Sequence, residues 1–128
     1  MKNLIIVTGG AGFVGSNLIK FLLKKTKKNI ISFDNYSSGT IRNHIKNTRV
    51  NYIKGNTVDI DKKLSIFKKK IDSVFHFGEF ARIYQSFIKF DECYKSNSIG
   101  SNAVFKFCFI YVLFSMWEET RKTVIFLN

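Results

Sequence analysis

Thr8-Gly9-Gly10-Ala11-Gly12-Phe13-Val14-Gly15 places glycines three residues apart at 9, 12 and 15, between an apolar run and an amphipathic stretch. That spacing suits a main chain that must come close to a phosphate. Gly9 allows a tight turn off a strand, Gly12 lets the backbone approach a pyrophosphate, and Gly15 lets a helix pack against the strand. The helix opening at Phe13 and Val14 would offer its free N–H groups and the positive end of its dipole to the anion. Asp34 follows 19 residues after Gly15, where a second apolar run ends. A carboxylate there accepts hydrogen bonds from an adenosine ribose and repels a 2′-phosphate, which favours NAD over NADP. Taken alone, the glycines fit a flexible loop and the aspartate fits an N-cap. The strand–turn–helix context and the spacing favour a dinucleotide.

Those residues need elements that bring strand ends together. Leu4–Thr8 is a continuous apolar run bounded by glycines, the mark of a strand buried on both faces. Phe13–Lys25 follows with Val14, Leu18, Phe21 and Leu22 at helical spacing. Asn29–Phe33, Val50–Lys54 and Asp72–Phe77 read as three further strands. Asp34 to Thr48 is polar and turn-rich, and Asp59–Lys70 reads as a helix with Leu64, Ile66 and Phe67 inward. Residues from about Ile83 to Lys106 read as mainly helical, and Thr123–Leu127 as a fifth strand or edge. Alternating strands and helices imply parallel pairing with right-handed crossovers. The expected fold class is therefore α/β: a Rossmann-type, partial doubly wound parallel sheet in the order 3-2-1-4, any fifth strand lying beside the fourth.

Composition narrows the function classes. The 128 residues amount to one domain, and 45% hydrophobic with 23% charged is ordinary for a globular chain. The net charge of +12 makes polyanions candidate partners. The lysines read as dispersed, however. Lys24, Lys25, Lys27 and Lys28 end one predicted helix and Lys68, Lys69 and Lys70 another, where cations complement the helix dipole. With no aromatic-basic stacking surface legible, no nucleic-acid partner is expected. Cys93 and Cys108 have no metal-ligand or redox spacing and read as buried free thiols of a reducing compartment; no metal is expected. The apolar run at Leu4–Val7 is too short for a signal peptide, and the 15 residues from Ala103 to Trp117 fall short of the roughly 20 that cross a bilayer. The expectation is a cytoplasmic protein without a membrane partner.

Four motifs then occur in order: Thr8-Gly9-Gly10-Ala11-Gly12-Phe13-Val14-Gly15-Ser16, Asp34-Asn35-Tyr36-Ser37-Ser38-Gly39, Val74-Phe75-His76-Phe77-Gly78, and Asn97-Ser98-Ile99-Gly100-Ser101. Over about 108 residues the chain resembles the NAD-dependent epimerase/dehydratase family, the extended short-chain dehydrogenases, and within it the UDP-glucose 4-epimerases. The resemblance implies an NAD cofactor. It implies that Asp34 and Asn35 hold the adenosine ribose, with Ser37 and Gly39 completing that loop, and that Asn56 and Thr57 border the adenine. It implies that Phe77, Gly78 and Ala81 line the nicotinamide half, that Asn97 fixes the fourth helix to the sheet, and that this helix offers a homodimer interface.

The chain also departs from the family's pattern. Asn56 stands where relatives usually have aspartate, a mild change because an amide oxygen still accepts a hydrogen bond. Glu79 stands where relatives usually have alanine; it must turn outward or find a cation, Arg82 being the candidate. The family's Y-x-x-x-K motif is absent, since the residues four after the five tyrosines are Thr40, Asn56, Ile88, Ser98 and Ser115. No catalytic residue is therefore assigned, and a sugar nucleotide would bind only if a C-terminal domain is supplied. Residues 1–108 are expected to be the NAD-binding part and residues 109–128 a divergent apolar tail. That tail reads as a truncated or frame-shifted gene product slightly ahead of a genuine short protein. The corresponding functions are a catalytically incomplete NAD-binding portion of such an enzyme or, as the alternative, a non-enzymatic NAD-sensing or interaction module.

Overall fold

The computed structural model describes residues 2–113 and 124–126. Strand β1 (Leu4–Thr8) is buried at every position. Leu4 and Ile6 turn to one face, Ile5 and Val7 to the other, so both faces must be covered. β2 (Asn29–Asp34) and β3 (Val50–Lys54) lie on one side of β1, β4 (Ile71–His76) and β5 (Val124–Phe126) on the other. All pairings are parallel, in the order β3-β2-β1-β4-β5. This is the expected 3-2-1-4 arrangement with the fifth strand beside the fourth. β2 runs one residue further than the sequence suggested, through Asp34, and β4 starts and ends one residue earlier.

Helix α1 (Phe13–Lys25) covers one face, as expected, but with a different stripe. Gly15, Ile19 and Leu22 are buried, whereas Val14 and Phe21, two of the apolar residues at helical spacing, are exposed. Position 15 must face the strand for the helix to approach it, and 19 and 22 follow at i+4 and i+7. Arg49 closes the far end of α1, donating from Nη2 to Leu23 O and from Nη1 to Thr26 O, each at 2.7 Å. Carbonyls at a helix C-terminus need such donors.

The other face carries a chain of short helical pieces. The helix expected over 59–70 is broken into a 3₁₀ turn (Thr57–Asp59), α2 (Ile60–Leu64) and a second 3₁₀ turn (Ser65–Phe67). Ile60 and Leu64 are buried at i,i+4, and Ile66, expected inward, is 80% exposed. The stretch from 83 is also segmented, into α3 (Ile83–Ile88), α4 (Phe90–Tyr94), a π-helical stretch (Lys95–Gly100), α5 (Ser101–Cys108) and a further π-helical turn (Phe109–Leu113). Val104, Phe107, Cys108 and Val112 pack with Ile6, Ile31, Phe33, Ile60 and Leu64. The apolar stretch after Ala103 is thus buried against the sheet along one stripe, while Phe105, Phe109 and Ile110 stay about half exposed. Cys108 is buried, which pushes its thiol up to about 12. Cys93 is only half-buried, beside Asn97, because α4 packs less deeply. The i,i+4 pair suggested between Glu118 and Lys122 lies outside the described residues. Among those described, no helix is long and apolar enough to cross a membrane.

The lysine runs are less dispersed than the sequence suggested. Leu4 pairs with Asn29 on one side and with Ile71 on the other, and its N–H donates to Lys70 O. The loops before β2 and β4 therefore share the sheet edge at the strand N-termini, which brings the two exposed runs to one end of the molecule. Lys28 there pairs with Asp72 at 2.7 Å.

Candidate functional site

The opposite edge, at the strand C-termini, holds an open cleft of about 310 Å³ between the turns after β1, β2, β3 and β4. Gly9 leaves β1 with φ +69°, and a Cβ there would sit 2.6 Å from Phe77 O. Only glycine takes both the left-handed backbone and the close contact without strain. Gly15 lies beneath this turn, where a Cβ would run into Gly9 O and come within 2.8 Å of Gly10 Cα. Gly12 is different. Its φ of −79° suits any residue, and the single atom a Cβ would approach is Gly9 O at 3.3 Å. Gly9 and Gly12 line the cleft. Phe13 and Val14 are exposed on the first turn of α1 and do not line it, because the buried stripe at 15, 19 and 22 turns them outward.

Asp34, 8% exposed at the end of β2, clasps the glycine turn. Its Oδ2 accepts from Ala11 N at 2.9 Å and its Oδ1 from Tyr36 N at 2.8 Å. Each oxygen keeps a second lone pair for a ligand. The following loop folds over the same turn, with Thr40 N and Asn43 Nδ2 both donating to Ala11 O, at 3.1 and 2.8 Å. Tyr36 holds a left-handed φ of 61° while its hydroxyl meets His44 Nε2 at 2.8 Å. Burial, followed by the nearby Asp34 charge, raises the Tyr36 hydroxyl above its usual pKa. The His44 ring stacks on Tyr52 with centroids 3.7 Å apart. Asn35 and Ser37 line the cleft, and Asn35 donates to Asn56 Oδ1 at 3.0 Å. Gly39 does not line it; a Cβ there would come 3.0 Å from Asp34 Oδ2, so this residue supports the carboxylate from behind.

On the β3 and β4 side, Asn56, Thr57, Phe77 and Gly78 line the cleft, together with Ser38, Gly55, Val58, Phe80, Lys95 and Ser96, which the sequence reading had not assigned. Gly55 at a strand end was the one legible signal among these; the others reach the cleft through loop paths that no spacing announces. Ala81 is exposed and does not line the cleft, because the chain past Phe80 has already turned away toward α3. Asn97 grips that loop through its side-chain amide, accepting from Phe80 N and donating to Phe80 O at 2.9 Å. It therefore ties the π-helical stretch to the loop after β4 and only indirectly to the sheet.

Glu79 does not pair with Arg82; partly exposed on the cleft wall, it is met from the core side by Ser101. Thr8 Oγ1 accepts from Phe77 N and Gly78 N, each at 3.1 Å, so its proton goes to His76 Nδ1 at 2.6 Å. That assigns the proton of the neutral ring to Nε2, which meets Ser101 Oγ at 3.0 Å, and Ser101 donates to Glu79 Oε1 at 3.1 Å. The sequence Thr8, His76, Ser101, Glu79 thus runs from the core to the cleft wall and ends on a carboxylate. Burial lowers the His76 pKa, opposed in part by Glu79. Among the described residues no group of three or more potential metal ligands occurs.

A left-handed glycine off the first strand of a parallel sheet, a clasped carboxylate ending the second and a cleft across the strand ends form one arrangement, and the comparison with known families agrees. The NAD dependent epimerase/dehydratase family matches residues 5–124. The chain belongs to that family. The match runs past Cys108, taking in the residues that lead to β5. Within the family, the chain is 36% identical over 118 residues to the dTDP-D-glucose 4,6-dehydratase of Dictyostelium discoideum, covering 85% of this chain and 26% of that one. The UDP-glucose 4-epimerase of Thermotoga maritima, solved with UDP-glucose, superposes with a TM-score of 0.78 at 29% identity over 96% of this chain and 37% of its own. WbmF of Bordetella bronchiseptica, solved with NAD+, gives a TM-score of 0.83 at 25% identity over 98% of this chain and 36% of its own. The chain thus spans between about a quarter and somewhat over a third of the length of these relatives.

Proposed function

We propose that this chain is the NAD-binding portion of a sugar-nucleotide epimerase or dehydratase of the UDP-glucose 4-epimerase type. The observation that carries the reading is the clasp between Asp34 and the glycine turn, since it sets a nearly buried carboxylate with free lone pairs beside an open backbone cradle. The residues fit the cofactor. Gly12 leaves empty the space that a Cβ would fill, and the first turn of α1 directs N–H groups toward it. Asp34 would accept from the adenosine ribose hydroxyls, with Asn35 and Ser37 beside it. Asn56 and Thr57 would border the adenine, and Phe77 and Gly78 the other nucleoside. Phe13, Val14, Gly15, Gly39 and Asn97 would act from behind, by shaping the turn and the loops.

When bound, NAD supplies the hydride acceptor of the family's chemistry. Residues 1–128 contribute binding, orientation and exclusion of water, and no Y-x-x-x-K pair for proton transfer occurs among them. A sugar nucleotide would bind only if a C-terminal domain is supplied, and pairing with a second subunit through the 83–106 helices is part of the same proposal. Residues 1–108 carry the cofactor site in this reading. Calorimetric titration of the full chain with NAD tests it. Saturable binding at one NAD per chain is expected, without turnover of UDP-glucose or UDP-galactose. A folded protein that gives no saturable binding overturns it.

A further inference from the structure

We propose that Glu79 makes the cleft discriminate between the two redox states of the dinucleotide, so that NAD, with its cationic nicotinamide ring, binds more tightly than NADH. The inference rests on the dinucleotide reading above and concerns the end of the cleft away from Asp34. Asp34 on β2 anchors the adenosine end, and the glycine turn after β1 takes the pyrophosphate. The second nucleoside must therefore cross to the C-terminal end of β4. Phe77, Gly78, Glu79 and Phe80 form the cleft wall there, and Glu79 is the charged member of that run.

Two features define the surroundings of its carboxylate. Glu79 stands at the receiving end of the sequence Thr8, His76, Ser101, with Ser101 Oγ donating to its Oε1 at 3.1 Å. Each donor in that sequence is fixed by the one before it, so the carboxylate is held as an acceptor. Its other neighbour is His76, with Nε2 3.9 Å from Oε1. That ring is neutral, because Thr8 occupies Nδ1 as a donor, and supplies no counter-charge. Lys95 and Glu92 also reach this end of the cleft; both are exposed, and Glu92 sits 3.4 Å from Lys89 Nζ. Water screens such rim charges far more than a half-buried carboxylate.

The oxidised ring carries a unit positive charge and the reduced ring carries none, while the ribose, pyrophosphate and adenine are the same in both. Any repulsion between Glu79 and the pyrophosphate therefore weakens both forms alike and cancels in the ratio of their dissociation constants. What survives in the ratio is the attraction between carboxylate and cationic ring. For partly solvated charges at van der Waals to second-neighbour separation it amounts to about fivefold.

The test is to titrate the full chain with NAD and with NADH at matched ionic strength, as wild type, Glu79→Gln and Glu79→Ala, following melting temperature in parallel. Gln keeps an acceptor for Ser101 and removes only the charge. In wild type the NADH:NAD ratio of dissociation constants should lie well above one. In both variants it should fall about fivefold, because only the oxidised form loses an attraction. Tight binding of both forms with the same ratio in wild type and the folded variants overturns the role of Glu79 and leaves the cofactor site standing. Failure of folded wild type to bind either form overturns this inference together with the dinucleotide reading.

Discussion

Replacing Gly12 with alanine separates what the fold needs from what a ligand needs. Gly12 caps α1 with φ −79° and ψ 178°, an extended backbone open to any residue. A methyl there would come 3.3 Å from Gly9 O, a tight contact that a small shift relieves. Fewer unfolded conformations stabilise the variant by about 0.4–1 kcal/mol. Loss of glycine at the N-cap costs about as much. The two should cancel within about 1 kcal/mol, a melting shift of no more than about 4 °C for a chain of this size. The same methyl points at the cradle. It would hold a phosphate away from the N–H groups of the turn, and each charge-assisted hydrogen bond so lost costs about 1.5–3 kcal/mol. NAD affinity should therefore fall about a hundredfold. Gly15→Ala is the contrasting case. Its methyl would run into Gly9 O and lie 2.8 Å from Gly10 Cα, both backbone atoms with no room to retreat. That places it at or above the upper end of overpacking costs, about 3 kcal/mol, so the melting temperature should drop by about 10 °C. Scanning fluorimetry and calorimetric titration read the two quantities separately. A Gly12→Ala protein that binds NAD within threefold of wild type would refute the assignment of the cradle (~0.7 kcal/mol, too little for a lost phosphate contact). One that melts as low as Gly15→Ala would refute the argument from local geometry.

Two further outcomes follow from named hydrogen bonds. In Asp34→Asn the single carbonyl oxygen can serve Ala11 N or Tyr36 N but not both, leaving one N–H facing an amide. Stability should fall by about 1–3 kcal/mol and NAD affinity about tenfold, with the preference for NAD over NADP reduced in paired titrations; wild type binding NADP as tightly as NAD would contradict the assigned role. His76 is buried and neutral, with a folded pKa below the ordinary 6.5. The unfolded chain thus takes up the proton first, and the contribution of His76 is complete above about pH 6.5 and declines as pH falls through 6.5 toward the folded value. Melting temperatures should drop between pH 7 and pH 5.5, less so in His76→Asn, whose amide oxygen can still accept from Thr8. A wild-type melting temperature that rises on acidification across that range would rule this out.

The sequence alone determined β1, the glycine turn, the start and length of α1 and the parallel order around them. These are local matters: five consecutive buried residues demand a strand covered on both faces, and glycine spacing is dictated by contacts within one turn. The position of Asp34 was legible for the same reason, since a strand of known length must end where its apolar run ends. Tertiary structure decided the rest. Which stripe of α1 is buried depended on Gly15 meeting the turn, so Val14 and Phe21 face outward although their apolar character suggested otherwise. The 59–70 and 83–106 segments broke into short pieces, with Ile60 and Leu64 packed on the sheet and Ile66 left exposed where the second turn tightens to 3₁₀. The lysine runs met at one edge only because parallel strands start together. Glu79 escaped any reading from spacing. Its partners, Ser101 and, through it, His76 and Thr8, stand 22, 25 and 68 residues apart in successive links. Hydrogen bonds over such separations are set by how strands and helices pack, and nothing in the order of residues records them.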